Sequence, residues 1–256
     1  NGEVLWQTTV PGEVVASPAV EDGRVVVLTT SGRLVALDTD EGKLQWTLSE
    51  EQPPLTLRSA GAPIITNGAV IYGRADGKVG IALLSNGQPV RQSKVADPRG
   101  ATELDRMVDV DASPLIAGDE LYAIAYNGQL MARKLMSGDE VWKRKYSGYR
   151  DMAVTGNAIV LTDSRSHLFA VDRRNGLELW SNTQLENRTV TAPVILGDYV
   201  VVGDVEGYLY WLDRTDGTIK AMQQLDSSGL YAAPLVEGDT LYVQSRGGKL
   251  YAIPRP

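Results

Sequence analysis

Short runs of consecutive apolar residues, separated by turns that contain glycine, recur along the whole chain. Val25–Leu28, Leu34–Leu37 and Val200–Val202 are three of these runs. A strand that is apolar at every position suits a sheet covered on both faces, whereas alternation would indicate one face in water. The pattern therefore predicts an all-β protein of short, doubly covered strands. It leaves no room for a helix longer than one or two turns.

These runs are organised in a repeat, seen most clearly in residues 17–46. The pattern is a small residue with a proline, three strands separated by glycine turns, and then an Asp-x-x-x-Gly-x-x-x-Trp motif, and other copies keep parts of it. The central slot recurs at spacings of 45, 51, 38, 41 and 41 residues, at Gly32, Gly77, Gly128, Ser166, Gly207 and Gly248. Six copies of a period near 40, with four short strands each, predict a β-propeller of four-stranded blades. We expect residues 1–256 to form a single propeller domain.

The end of each repeat carries a turn and an aromatic residue. Asp38, Asp172 and Asp213 stand four residues before a glycine, where a carboxylate can accept backbone N–H bonds and glycine can adopt a positive φ. Four residues after such a glycine comes an indole, at Trp6, Trp46, Trp142 and Trp180. We expect these four residues on the last strand of a repeat, in a structural role as packing between blades.

Composition excludes several classes of function. The net charge is −7 and the basic residues are scattered, which argues against a nucleic-acid partner. The chain has no cysteine, so a disulfide, a thiolate nucleophile and a cysteine-based metal site are all excluded. No run reaches the ~20 apolar residues of a membrane-spanning helix. The chain begins at Asn1 without an initiator methionine, which indicates a mature product or an excised fragment.

No catalytic residue, cofactor or metal ligand is predicted. His167 is the only histidine, and its position between two strands predicts a solvent-facing turn residue instead of a base. The register aspartates already have a role in turns. No glycine-rich phosphate loop follows a strand and opens a helix, so nucleotide binding has no support.

Two long connections indicate a functional face. From the Trp slot to the next proline the distance is 12 or 13 residues in three repeats, but 17 from Trp46 to Pro63 and 23 from Arg91 to Pro114. Insertions in repeat proteins lie in loops. Because these two belong to consecutive repeats and to the same connection, we expect them side by side.

The first insertion contains Leu55, Leu57 and Arg58, and the second contains Asp109 and Asp111. One interpretation makes the leucines the start of a strand, the aspartates turn residues, and Arg58 an internal ion-pair partner. The other interpretation is a composite surface with an apolar centre and a charged rim, which is typical of a protein interface. Both interpretations stay open on the residues alone.

The segments "ALDTDEGKLQW" and "AVDRRNGLELW" resemble the repeat motif of pyrroloquinoline-quinone-type propellers. An ordered set of segments outside the repeat resembles the BamB family, lipoproteins of the outer-membrane β-barrel assembly machinery. These segments are residues 55–63, 101–114, 125–130, 201–213 and 225–229. The resemblance implies an eight-bladed propeller, of which this chain would lack about two N-terminal blades and the lipid-bearing cysteine. The alternative is a six-bladed ring, closed by the fourth-strand motif "GEVLW" at the start and the third strand "KLYAI" at the end.

The resemblance also implies a function and partners. It implies a non-enzymatic scaffold on the periplasmic face of the outer membrane, which contacts the membrane only through a lipid anchor absent from this chain. The expected partners are the periplasmic domains of BamA, with unfolded outer-membrane proteins as a further partner. Leu55, Leu57, Arg58, Asp109 and Asp111 match the positions implicated in contacting BamA. Two alternatives stay open: a quinone-dependent dehydrogenase, whose typical cysteine pair is missing here, and a periplasmic ligand-binding propeller.

Overall fold

The computed structural model describes residues 2–57 and 61–255. These residues form β-strands joined by turns and loops, and no α-helix occurs among them. Contacts divide the chain into two units, Asn1–Tyr149 and Arg150–Pro256. The grouping of both units into one domain stays a prediction.

The first unit contains three antiparallel sheets of four strands, in each of which the strands pair in chain order. Sheet 1 consists of β1 (Ala19–Glu21), β2 (Arg24–Leu28), β3 (Arg33–Asp38) and β4 (Leu44–Ser49). Sheet 2 consists of β5 (Ile64–Thr66), β6 (Ala69–Gly73), β7 (Lys78–Leu83) and β8 (Pro89–Lys94). Sheet 3 consists of β9 (Leu115–Ala117), β10 (Glu120–Ile124), β11 (Leu130–Lys134) and β12 (Glu140–Arg144).

The second unit contains two sheets of four strands and one of three. Sheet 4 consists of β13 (Ala153–Thr155), β14 (Ala158–Thr162), β15 (Leu168–Asp172) and β16 (Glu178–Asn182). Sheet 5 consists of β17 (Val194–Leu196), β18 (Tyr199–Gly203), β19 (Tyr208–Asp213) and β20 (Ile219–Gln224). Sheet 6 consists of β21 (Leu235–Glu237), β22 (Thr240–Gln244) and β23 (Leu250–Pro254). Each sheet corresponds to one sequence repeat, so the predicted six copies are confirmed.

The turn between the third and fourth strands has the chemistry that its sequence predicts. Asp38 Oδ1 accepts hydrogen bonds from the amides of Asp40 and Glu41, at 2.9 and 3.0 Å. Gly42 closes the same turn with φ +65°. Asp172 and Asp213 accept the amides two residues further on in the same way. These hydrogen bonds hold the backbone while the chain reverses between two strands.

The indole of Trp46 lies against the next sheet. It is 8% exposed, and its Nε1 donates a hydrogen bond to the carbonyl of Leu84 at 2.8 Å. The ring covers Gly87, where a Cβ would come within 2.5 Å of it. Trp180 makes the corresponding contacts in the second unit, with the carbonyl of Arg214 at 3.0 Å and with Gly217. Only a glycine in the turn leaves room for an indole in this position.

Trp6 was expected on a strand, and this expectation was wrong. Residues 2–18 contain no strand, although the Trp6 indole still donates to the carbonyl of Thr39 at 2.8 Å and covers Gly42. Trp142 lies on β12 as expected and is buried, with its ring centre 6.0 Å from that of Tyr122. A strand is therefore not needed for an indole to reach the turn of the neighbouring sheet.

In sheets 1, 4 and 5 a tryptophan is paired with an alanine on the neighbouring strand. Ala36 is paired with Trp46 and Ala170 with Trp180, whereas in sheet 5 the order is reversed and Trp211 is paired with Ala221. A β-bulge follows this pair in all three sheets. Since one large and one small residue fill the same space, the tryptophan can stand on either strand.

Candidate functional site

The first insertion is a loop up to the start of β5 at Ile64. Leu55 and Leu57 lie in its described part, which contains no strand. Leu55 is 38% exposed and Leu57 is half-buried. The interpretation in which Leu55 and Leu57 start a strand is therefore wrong. Arg58 lies outside the described residues.

The second insertion ends in a segment that is buried at six consecutive positions, residues 107–112. Val110 donates its amide to the carbonyl of Arg74 at 3.0 Å, and the carbonyl of Asp109 accepts the amide of Tyr126 at 2.9 Å. Val108 and Val110 belong to one apolar cluster with Ile71 of sheet 2 and Leu121 of sheet 3. The segment thus runs between two sheets and is covered on both sides.

The two insertions pack directly on each other. The amide of Leu57 donates to Asp109 Oδ1 at 3.1 Å, and the amide of Ala62 donates to Ser113 Oγ at 2.9 Å. Between these bonds Gly61 lies so close to the second insertion that a Cβ would be 2.6 Å from the Ser113 nitrogen. The prediction that these loops lie side by side is confirmed.

The two carboxylates lie beneath the first loop and not at its rim. Asp109 is 1% and Asp111 7% exposed. Among the described residues, the Oδ2 atoms of both have no hydrogen-bond partner. The exposed part of this site is therefore the loop of Leu55, and the aspartates support it from inside.

Burial changes the ionisation of both carboxyl groups. Desolvation raises the pKa of Asp109, partly offset by the hydrogen bond from the Leu57 amide. Desolvation and the neighbouring Asp109 charge raise the pKa of Asp111 to about 7. The site therefore holds an acidic pair in which Asp111 changes its charge near neutral pH.

A cleft between sheets 1 and 2 borders Asp111, and an ion-pair cluster lines it. Arg74 is buried and is paired with Glu50 and with Asp76, and Tyr72 donates its hydroxyl hydrogen to Glu50. Sequence reasoning did not identify Arg74 or Glu50. The only signal was a basic residue directly before the Gly77 turn, where other repeats have Thr29 or Asp163.

The expectation of a solvent-facing His167 was wrong. The residue is 6% exposed, with Nδ1 3.1 Å from Asp163 Oδ2 and Nε2 3.5 Å from Glu186 Oε1. Asp163 also accepts the amides of Arg165 and His167. The turn packs over the imidazole of His167 and buries it. Through its contacts with Asp163 and Glu186, His167 connects this turn to the following loop.

Among residues 2–57 and 61–255, no group of three or more His, Asp or Glu side chains could hold a metal ion. No helix long and apolar enough to cross a membrane occurs in this described part of the chain.

The arrangement of sheets, tryptophans and glycine turns defines a β-propeller of pyrroloquinoline-quinone-like repeats. A family model described as "Outer membrane protein assembly factor BamB" matches residues 1–182 and 182–255. The chain therefore belongs to the BamB family.

Individual relatives agree with this assignment. The chain is 45% identical over 198 residues to the outer membrane protein assembly factor BamB of Shewanella oneidensis, which covers 77% of this chain and 50% of that protein. Identity to the protein of the same name in Escherichia coli K12 is 38% over 195 residues, 76% of this chain and 50% of that one. The crystal structure of BamB from Moraxella catarrhalis matches with a TM-score of 0.93 and 26% identity, over 98% of this chain and 75% of the other. The chain thus spans about half the length of the curated relatives that it matches.

Proposed function

We propose that the chain is part of a non-enzymatic scaffold subunit of the outer-membrane protein assembly machinery. In this proposal it binds the periplasmic domains of BamA and assists the insertion of β-barrel proteins. It acts on the periplasmic face of the outer membrane, to which a lipid anchor on the full-length protein attaches it. Unfolded outer-membrane proteins are a further proposed partner. Membership of the BamB family supports this function.

The proposed contact surface consists of Leu55, Leu57 and Arg58, with Asp109 and Asp111 behind them. The observation that carries it is the packing of the two insertions on each other, with the hydrogen bond from the Leu57 amide to Asp109 Oδ1. A loop that carries Leu55 and Leu57, with an arginine next in the sequence, suits a protein interface, because arginine is enriched among energetically important contacts.

The direct test is a titration of the purified chain with the periplasmic domains of BamA, by calorimetry or biolayer interferometry. We expect saturable binding of defined stoichiometry. A variant with both Leu55 and Leu57 changed to Ser should bind more weakly with an unchanged unfolding midpoint. Absence of binding by the folded wild-type chain would refute the proposal.

We also propose that the chain has no redox activity. The adjacent cysteine pair typical of quinone-dependent dehydrogenases is missing, because the chain has no cysteine. After incubation with pyrroloquinoline quinone and Ca²⁺, reduction of a dye by small alcohols should stay at the level of a protein-free control. Stoichiometric quinone binding with turnover would favour the dehydrogenase alternative instead.

A further inference from the structure

We propose that a groove between sheets 2 and 3 binds an aromatic side chain of a partner polypeptide, together with a carboxylate next to it in that polypeptide. The groove is the Trp slot of the second repeat, in which Arg91 stands in place of a tryptophan. Its lining residues lie outside residues 55–63 and 101–114, so the site is separate from the proposed contact surface. This inference goes beyond the proposed function.

Sheet 1 shows how such a slot is filled. Trp46 is 8% exposed and belongs to one apolar cluster with Val26, Ala36 and Leu84. Val26 is paired with Ala36, and Ala36 is paired with Trp46. Leu84 stands three residues before Gly87, in the turn that the indole covers. The indole therefore fills a space between two strands of its own sheet and a turn of the next sheet.

The corresponding space beside sheet 2 is open. Ile71 is paired with Ile81, and Ile81 is paired with Arg91. Leu135 stands three residues before Gly138, which the Arg91 guanidinium covers. Instead of enclosing an indole, the residues at these positions line a groove of about 170 Å³. A cavity of about 150 Å³ between apolar side chains is large enough to bind benzene, so the groove has room for an aromatic ring.

The lining of the groove is mostly apolar and becomes exposed toward its rim. Ile71 is buried, whereas Ile81 and Leu135 are half-buried. Val90 and Met136 at the rim are 57% and 77% exposed. The open rim suits a side chain that is still attached to its backbone, since a small free ligand is usually buried over about 70–90% of its surface. The methionine sulfur also makes favourable contacts with aromatic rings.

The guanidinium of Arg91 supplies a positive charge at the groove. Its Nη2 donates a hydrogen bond to the Met136 carbonyl at 3.1 Å. Within the described part of the chain, Arg91 has no ion-pair partner. A guanidinium has five N–H donors and pairs readily with carboxylates, and it also lies favourably over aromatic faces. A carboxylate beside the bound aromatic residue would therefore pair with Arg91 while the ring occupies the groove.

The experiment is an NMR titration of the isotope-labelled chain with a blocked peptide, acetyl-Gly-Trp-Asp-Gly-amide, whose only charged group is the aspartate. The amides of Val90, Met136 and Gly138 should shift, with a Kd on the order of 1 mM or tighter, as for a ligand of this size. Alanine in place of the peptide's tryptophan should abolish these shifts. Asparagine in place of its aspartate should weaken binding by about three- to tenfold, because the charge-assisted hydrogen bond to Arg91 is lost.

Two variants of the chain test the groove itself. In Arg91→Trp the new indole should fill the groove, so the peptide should cause no shifts at concentrations that saturate wild type. Met136→Glu changes an exposed side chain and keeps the backbone carbonyl that Arg91 binds. Its carboxylate should pair with Arg91, repel the peptide and weaken binding by about tenfold or more. Met222→Glu is the matched control, because Met222 is 64% exposed on β20 and does not line the groove, and it should bind like wild type.

Unchanged binding of the peptide by folded Met136→Glu would overturn the proposal. Absence of shifts in the wild-type chain, or equal shifts with the alanine peptide, would overturn it as well. Indole-3-propionate has the same ring and a carboxylate but no polypeptide backbone. If it binds as tightly as the peptide, a polypeptide is not the preferred occupant and the proposal is also overturned. The titration contains no BamA, so its failure would leave the proposed function standing.

Discussion

Replacing Trp46 with alanine is expected to lower the free energy of unfolding by about 3–5 kcal/mol, as for other large aromatic residues removed from a core. The change empties the space over Gly87 and leaves the Leu84 carbonyl without its indole donor. Urea denaturation followed by circular dichroism measures the effect. Trp180→Ala should lower stability similarly in the second unit, where the same two contacts are lost.

Leu44→Ala is the control for Trp46→Ala, because Leu44 stands on the same strand and is 61% exposed. Leu44→Ala should change the free energy of unfolding by no more than about 0.5 kcal/mol. Affinity for the partner should fall in the tryptophan variants only as far as folded protein is lost. A well-folded Trp46→Ala protein that selectively loses binding would show that the slot has a functional role instead of a structural one.

Asp111→Asn is expected to stabilise the protein at pH 8 and to have little effect at pH 4.5. The folded state raises the pKa of Asp111 to about 7, so the folded chain prefers the neutral carboxyl. Between the unfolded pKa of 3.8 and the folded value, wild-type stability falls as the pH rises, because the folded state binds more protons there. A shift of about three units corresponds to at most ~4 kcal/mol, and we expect a gain of ~1–4 kcal/mol from the asparagine.

The measurement is the free energy of unfolding of both proteins at the two pH values. The other ionisable groups near the cleft, namely Asp109, Glu50, Arg74 and Tyr72, are present in both proteins. The change in the difference between the two proteins therefore reports the ionisation of Asp111 together with its coupling to Asp109. An equal difference at both pH values would contradict a pKa raised by burial.

The repeat made the fold predictable because the same local interactions recur six times. Consecutive apolar residues predict the strands, and a turn aspartate with a glycine predicts the turns between them. The period of the repeat then groups these strands into sheets. What the motif missed was Trp211, which stands on the third strand of its sheet, opposite Ala221. A sequence motif along one strand does not show that side chains of two neighbouring strands fill the same space.

The site was only partly predictable. Loop length identified both insertions, since extra residues in a repeat must leave the sheet. The burial of Asp109 and Asp111 was not predictable, because alternation with Val108 and Val110 suggests one apolar and one polar face. In the structure the segment passes between two sheets and both faces are covered. His167 was misjudged for a related reason, since Asp163 and Glu186 reach it only after folding.

The contact surface is tested most directly by the affinity of Arg58→Ala for the BamA periplasmic domains, measured beside its thermal stability. Arg24→Ala, at the first residue of β2, where Arg24 pairs with Asp38, is the arginine control. We expect Arg58→Ala to weaken binding by ~2 kcal/mol or more, which is about 30-fold, with an unchanged melting temperature. Arg24→Ala should bind like wild type. Unchanged affinity of a stable Arg58→Ala protein would contradict the proposed surface.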